Sequence, residues 1–280
     1  MTAARNAAPS LALQADEVSR YHDRGFVVPR FRLANCLLAR MRASLDRLIA
    51  ENPTVRPEHL VLRWGGGSNA LPSHAEFLDY VYEPAVVDVV EQLLGPDLIC
   101  WGSHVFCKPA GDGLEVPWHQ DGQYWPIRPL ATSTVWIALD GSAVENGCLR
   151  VIPGSHRDKI LYRHRSEEHP DLALNQIIDD ERMDEGRAVD VVLEAGQMSI
   201  HDAHLIHGSQ ANRSPKRRAG LVIRYMPATS LYDRDIALSG GAAGIRQDMK
   251  LRPIYLVRDE DRAGNDFWVG QDRRYAVGDP

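Results

Sequence analysis

The apolar residues change period at Leu98, and no other feature limits the folds open to this chain as tightly. Upstream the spacing is helical: Leu37, Leu38, Met41, Leu45, Leu48 and Ile49 recur at three- and four-residue steps, the stripe of a helix that buries one side. A shorter helix precedes it, with Asp16 near its start and Gly25 at its end, and a short β-branched run follows. A third helix, in EPAVVDVVEQLLGPD, stops at Gly95-Pro96. Downstream come short alternating runs divided by turn residues: LICWGSHVFCKP, STVWIALD, CLRVIPGS, AVDVVLEAGQMSIHD and RAGLVIRYMP, the pattern of antiparallel strands. Helices first and strands afterward predict an α+β, mainly β fold, a jelly roll flanked by N-terminal helices. One domain over residues 1–280 is expected, frayed over 1–12, with its β core at roughly 98–228 and no internal repeat. The glycine-rich RWGGGSNALPSH reads as a mobile loop.

Charge and cysteine usage exclude several functions. A net charge of −6, from 32 basic and 38 acidic residues well mixed along the chain, argues against a nucleic-acid binder, which needs a dense cationic face. No segment approaches a membrane span or a secretory signal. Cys36, Cys100, Cys107 and Cys148 have neither metal-site spacing nor the density of a disulfide framework, so packing thiols in a reducing cytoplasm are expected. The sequence carries no signal of oligomeric state.

Chemistry concentrates in two stretches. The first, VPWHQDGQYWP, holds His119-x-Asp121, although His followed two residues later by a carboxylate also occurs at His74/Glu76, His156/Asp158 and His169/Asp171. Context has to separate them. The second stretch, SIHDAHLIHGSQANRSPKRRAGLVIRYMP, offers His201, His204 and His207 at the end of an expected strand. Read as a hairpin, His207 closes one strand and Arg218 opens the return strand, which brings the two together. Two imidazoles and a carboxylate on one face of a ferrous ion leave positions open for a bidentate cosubstrate and O2. An arginine nearby suits the far carboxylate of a 2-oxo diacid, because its planar fork binds in bidentate fashion. Arg213 and Arg217 compete with Arg218 for that role, and spacing favours Arg218. Ser209 and Thr134 could add hydroxyl donors.

WHQDGQYWP, ENGCLRVIPGSH and HGSQANRSPKRRAGLVIRY together resemble the phytanoyl-CoA dioxygenase-like branch of the iron(II)/2-oxoglutarate oxygenases, over roughly residues 15–230. The resemblance implies a double-stranded β-helix of cupin type. It implies Fe(II), with 2-oxoglutarate and O2 as cosubstrates, and hydroxylation of a small organic metabolite as 2-oxoglutarate is decarboxylated to succinate. It places His119, Asp121 and His207 as iron ligands, Arg218 as the 2-oxoglutarate anchor and Ser209 and Thr134 as its hydroxyl partners. Trp125 would line the pocket and Lys108 would make a polar contact there. His201 and His204 are left as structural or supporting residues, and His156 as a turn residue.

Two rival readings stand beside this one, a zinc-dependent hydrolase and a noncatalytic cupin-like binding protein. The hydrolase lacks a glutamate spaced for a base. Substrate choice falls to the loops 56–76, 155–187 and 229–250. Alternation along RAGLVIRYM puts Gly220, Val222 and Arg224 on the same inner face as Arg218. An inward Arg224 needs a partner, either a protein carboxylate or an acid group on the substrate, the latter also touched by Gln123.

Overall fold

The computed structural model describes residues 12–62, 75–235, 250 and 252–269. The glycine-rich loop, from Arg63 to His74, and all but Ala12 of the expected frayed start lie outside the described residues, as does most of the 229–250 loop. The helices are α1 (Ala15–Arg24), α2 (Asn35–Glu51), α3 (Ala75–Val81) and α4 (Pro84–Leu94), of which α3 was not expected from sequence. Gly25 ends α1 in the left-handed region, at φ 82°, where its N–H reaches the Tyr21 carbonyl. Valines dominate α4, so its helicity owes more to the burial of Val86, Val87, Val89, Val90 and Leu93 than to propensity.

Two antiparallel sheets face one another. The larger runs β1 (Phe26–Val27), β11 (Met198–Asp202), β6 (Ser133–Ala138), β13 (Arg218–Pro227), β3 (Leu98–Lys108) and β15 (Tyr255–Arg258), with β2 (Val61–Leu62) also paired to β3. The smaller runs β10 (Val189–Val191), β7 (Leu149–Val151), β12 (His207–Ser209) and β4 (Val116–His119). Two short pairs lie apart: β5 (Ile127–Arg128) with β14 (Leu231–Tyr232), and β8 (His164–Ser166) with β9 (Gln176–Ile178). The strands β3, β6, β11 and β13 in one sheet and β4, β7, β10 and β12 in the other make the double-stranded β-helix. The large sheet also recruits β1, β2 and β15 from outside the expected 98–228 core.

Alternation along the strands separates two interiors. Val135, Ile137, Met198, Ile200, Leu221, Ile223 and Tyr225 turn outward, where α2 and α4 cover them. Each fully buried aliphatic of this kind contributes about 1.5–3 kcal/mol. Trp136, Ala138 and Val222 turn inward against Leu149, Val151 and Val191 of the small sheet. At the other end of the barrel, Arg224 pairs in register with Gly102 and Tyr225 with Cys100, which leaves Trp101 as an extra residue in a β-bulge. Trp101 packs there with Trp125, Ile127 and Tyr232.

The sheets correct two readings of the histidine-rich segment. His201 and His207 do not share a strand: β11 ends at Asp202, and β12 begins in the opposite sheet. Nor do His207 and Arg218 form a hairpin, because β12 pairs with β4 and β7 while β13 pairs with β3 and β6. The intervening chain crosses between sheets. Asn212, fully buried, holds that crossing by donating to the Pro109 and Lys216 carbonyls and accepting from Ser214.

Among the described residues no helix is long and apolar enough to cross a membrane.

Candidate metal centre and cosubstrate pocket

A cavity of about 440 Å³, counting its open mouth, lies between the sheets. His119 reaches it from the end of β4 and His207 from the start of β12, directly opposite in register. Asp121 comes from the first position of a 3-10 turn that follows β4. One ligand atom from each lies within 4.8 Å of the others, and all three residues are buried.

Local backbone determines which ring nitrogens face inward. His119 Nδ1 lies 2.9 Å from the Pro117 carbonyl and His207 Nδ1 2.9 Å from the Leu205 carbonyl. A carbonyl only accepts, so both Nδ1 atoms carry the proton and both Nε2 atoms present lone pairs. Those lone pairs aim at Asp121: His119 Nε2 is 3.7 Å from Oδ1 and His207 Nε2 3.9 Å from Oδ2, too far for hydrogen bonds. Burial, reinforced by the neighbouring imidazoles, holds His207 well below the usual histidine range, so it stays neutral. Burial alone would raise Asp121, yet its carboxyl is held well below the usual range, with the Arg224 guanidinium among the charges that lower it. Three acceptors thus converge in a buried space. A divalent cation satisfies that arrangement, and two imidazoles with one carboxylate is the donor set suited to ferrous iron.

The residue between the ligands fixes their spacing. Gln120 is fully buried and points away from the cluster; its amide donates to the Ile160 and His204 carbonyls and its Oε1 accepts from Tyr162. The end of β4 is thereby clamped to the 160–164 segment.

Arg218 lines the same cavity, 2 % exposed, its guanidinium 5.2 Å from the Trp136 ring centre and its Nε without a hydrogen-bond partner. Burial lowers it to about 10, still charged at neutral pH. Its rivals are placed elsewhere: Arg217 pairs with Asp140 and Asp46, and Arg213 is exposed. Ser209 also lines the cavity.

Four expected contacts differ. Thr134 lines the cavity, but its hydroxyl donates to Asp121 Oδ2 at 3.1 Å, so its one hydrogen serves the carboxylate rather than a cosubstrate. Lys108 lies outside the cavity lining and braces the Ser209 and Gln210 carbonyls. Trp125 is carried by the 3-10 turn toward the far end, where it packs edge-on against Trp101 at 4.4 Å. Gln123 lies in the same turn with its side chain exposed. The aromatic floor near Arg218 is Trp136 instead, two residues along β6 from Thr134. Gly220 permits this, because a Cβ there would sit 2.2 Å from the indole.

His201, expected in a structural or supporting role, also faces the cluster. It is opposite Thr134 in register, lines the cavity, and places Nε2 3.7 Å from Asp121 Oδ2, with neither ring nitrogen hydrogen-bonded. His204 stays outside, its Nδ1 3.1 Å from Asp202. Among the other His-x-carboxylate pairs, His156 bonds the His22 carbonyl beneath Gly25, His169 and Asp171 are exposed, and His74 falls outside the described residues.

A double-stranded β-helix closing on two histidines and one carboxylate is the architecture of non-haem iron oxygenases. The phytanoyl-CoA dioxygenase family profile matches residues 21–220, and the chain belongs to that family. It is 26% identical over 164 residues to a phytanoyl-CoA dioxygenase domain-containing protein 1 homolog of Dictyostelium discoideum, covering 57% of this chain and 58% of that one. It is 32% identical to a probable alpha-ketoglutarate-dependent hypophosphite dioxygenase of Stutzerimonas stutzeri, over 51% of this chain and 50% of that one. These two matches span about half of each relative's length. Ectoine dioxygenase of Bordetella parapertussis is 27% identical over 76% of this chain and 75% of its own. Among solved structures, the apo form of the non-heme monooxygenase ThoJ superposes with a TM-score of 0.66 at 27% identity, covering 89% of this chain and 85% of that one.

Proposed function

We infer that this chain is an Fe(II)/2-oxoglutarate-dependent dioxygenase that hydroxylates a small organic metabolite. One molecule each of 2-oxoglutarate, O2 and substrate would give succinate, carbon dioxide and the hydroxylated product. The observation that carries this reading is the convergence of His119 Nε2, His207 Nε2 and the Asp121 carboxylate in a buried cavity shared with Arg218, whose Nε has no hydrogen-bond partner among the described residues.

In this reading His119, Asp121 and His207 hold the metal, which when bound supplies the oxygen-activating chemistry. Arg218 grips the distal carboxylate of 2-oxoglutarate through its fork, with Ser209 beside it. Trp136 lies beneath the guanidinium and limits how it can turn. Phe106, Leu149 and Val222 line the remaining wall and exclude water from the reacting end. Thr134 orients Asp121 so that one oxygen stays directed at the metal. The cavity lining contains no glutamate among the described residues, which removes the base that a zinc hydrolase would need.

The whole chain, 1–280, is taken as one catalytic domain. A reducing cytoplasm suits its four unpaired cysteines. The substrate is taken to bear an acid group, since Arg224 lines the cavity and its Nε has no hydrogen-bond partner among the described residues.

The test is O2 uptake and succinate formation by purified protein with Fe(II) and 2-oxoglutarate each added or omitted. Turnover requiring both is expected. Metal binding without turnover would make the chain a binding protein, and turnover with zinc alone would make it a hydrolase.

A further inference from the structure

We propose that Arg224 is the anchor for a single negative charge on the substrate, a carboxylate, held at the end of the cavity opposite Arg218. The proposal rests on the oxygenase reading above and names the substrate class for it.

Arg224 is 8 % exposed and lines the same cavity as the metal cluster. Its Nε has no hydrogen-bond partner, and its contacts among the described residues are aromatic: the guanidinium carbon lies 5.3 Å from the Trp125 ring centre and 5.8 Å from that of Trp101. Ring faces return about 0.5–2 kcal/mol to a guanidinium, whereas a buried ion loses several kcal/mol of hydration. Aromatic contact does not close that gap. Arg252 packs beside it, lying over Trp101 at 5.7 Å and covering Gly102, the register partner of Arg224, but it has interactions of its own and does not enter the charge balance of the cavity. The protein carboxylate that sequence reasoning held in reserve for Arg224 is absent among the described residues. Asp121 is near enough to feel its charge, but Asp121 belongs to the metal cluster.

Cosubstrate is not the partner of Arg224. Arg218 and Arg224 share one face of β13 six positions apart, on the order of 20 Å along the strand. A five-carbon diacid held by Arg218 and extending to the His119, Asp121 and His207 cluster would be too short to reach the second fork as well.

Counting charge fixes the valence. Asp121 contributes one negative charge, and Arg218 and Arg224 one positive charge each. Lys108 lies outside the cavity lining with its amine turned to the Ser209 and Gln210 carbonyls, so it does not face the ligand and is left out of the count. Ferrous iron adds two positive charges and 2-oxoglutarate two negative ones. One positive charge remains, and one carboxylate balances it, whereas a doubly ionised phosphonate would overshoot.

The experiment uses anaerobic protein loaded with Fe(II) and 2-oxoglutarate, titrated with butyrate, butyramide or propylphosphonate and followed by tryptophan fluorescence, since Trp101 and Trp125 border the guanidinium. Butyrate is expected to bind the parent at least about tenfold more tightly than butyramide, and Arg224→Met should erase that difference. In the same variant 2-oxoglutarate affinity should stay within about twofold. Arg224→Lys should keep part of the preference for butyrate. Thermal stability of ligand-free Arg224→Met should equal or exceed the parent's, because an unbalanced buried charge has been removed.

Butyrate binding no tighter than butyramide overturns the proposal, as does a melting temperature more than about 5 °C lower in Arg224→Met, which would mark a structural ion. Loss of 2-oxoglutarate affinity in Arg224→Met also overturns it, by making Arg224 the cosubstrate anchor. Propylphosphonate binding tighter than butyrate overturns the single-charge assignment. If the parent forms no succinate from 2-oxoglutarate with Fe(II), the oxygenase reading fails separately, and the butyrate titration still decides the anion site.

Discussion

Ala219, Leu221, Ile223 and Tyr225 on one side of β13, and Arg218, Gly220, Val222 and Arg224 on the other, are all buried, yet the two sets meet different surroundings. The outward set is fully matched: apolar surface meets helix, and the Tyr225 hydroxyl donates to the Val81 carbonyl at 2.8 Å. The inward set leaves polar groups unmatched, with an orphan Nε on each arginine and a bare glycine under an indole. Burial alone therefore says little about role. What distinguishes a packing face from a working face is whether its polar atoms find partners within the chain.

The contrast breaks most sharply at the cluster. His119→Ala, Asp121→Ala and His207→Ala should each abolish iron binding and lower succinate formation by on the order of a thousandfold or more, with little change in folding. His204→Ala, outside the cavity, should stay within about tenfold of the parent. Iron stoichiometry and succinate yield decide it, and an iron-free His204 variant beside an active His207 variant would reverse the assignment.

On the outward face, Ile223→Ala should cost about 2–5 kcal/mol of stability by denaturant unfolding, while the folded fraction keeps its Michaelis constant for 2-oxoglutarate. A variant that loses cosubstrate affinity at unchanged stability would show that the two faces are not separable. A finer comparison sets neighbours against each other. Arg218→Lys should raise the 2-oxoglutarate Michaelis constant about tenfold and leave iron bound; Arg217→Lys, paired at the surface, should change neither.

The smallest effect concerns Lys108, which braces the Ser209 and Gln210 carbonyls outside the cavity lining. Its amine titrates near 6 in the folded chain against an ordinary 10.5, because burial disfavours its charge and Arg218 repels it. Between those values the unfolded chain binds more protons than the folded one, so this group opposes folding increasingly as pH falls from about 10.5 toward 6 and less as pH rises. Lys108→Met should flatten that part of the pH dependence. Denaturant midpoints at pH 6 and pH 9 for parent and variant measure it, and equal slopes would exclude the effect.

Much of the candidate site was legible because the proposed metal donors sit in short motifs whose local backbone does the aiming. His119 and His207 each bond the carbonyl two residues back, which the motif alone carries. Trp136 and His201 were also within reach, since Trp136 follows Thr134 by two on a strand, but His201 required knowing that β11 pairs with β6. Trp125 misled through nearness in sequence to Asp121: the strand stops at His119, and a turn sends Trp125 to the other end. The supposed hairpin failed for a related reason. A polar Gly-Ser-Asn-Pro link serves equally well to reverse a chain within one sheet and to pass it between two, and only the pairing partners distinguish them.

The direct opposition of His119 and His207 across β4 and β12 also bears on the order in which the chain organises itself. Each imidazole acquires its tautomer from its own tripeptide, early and cheaply, but the two meet only after the long intervening segment has closed, the kind of distant contact that forms slowly. Iron therefore has little to hold in the folding transition state if β4 and β12 pair late. Metal added during refolding is then expected to leave the folding limb of the chevron nearly unchanged and to lower the unfolding limb, so that iron makes this protein slower to come apart rather than faster to assemble.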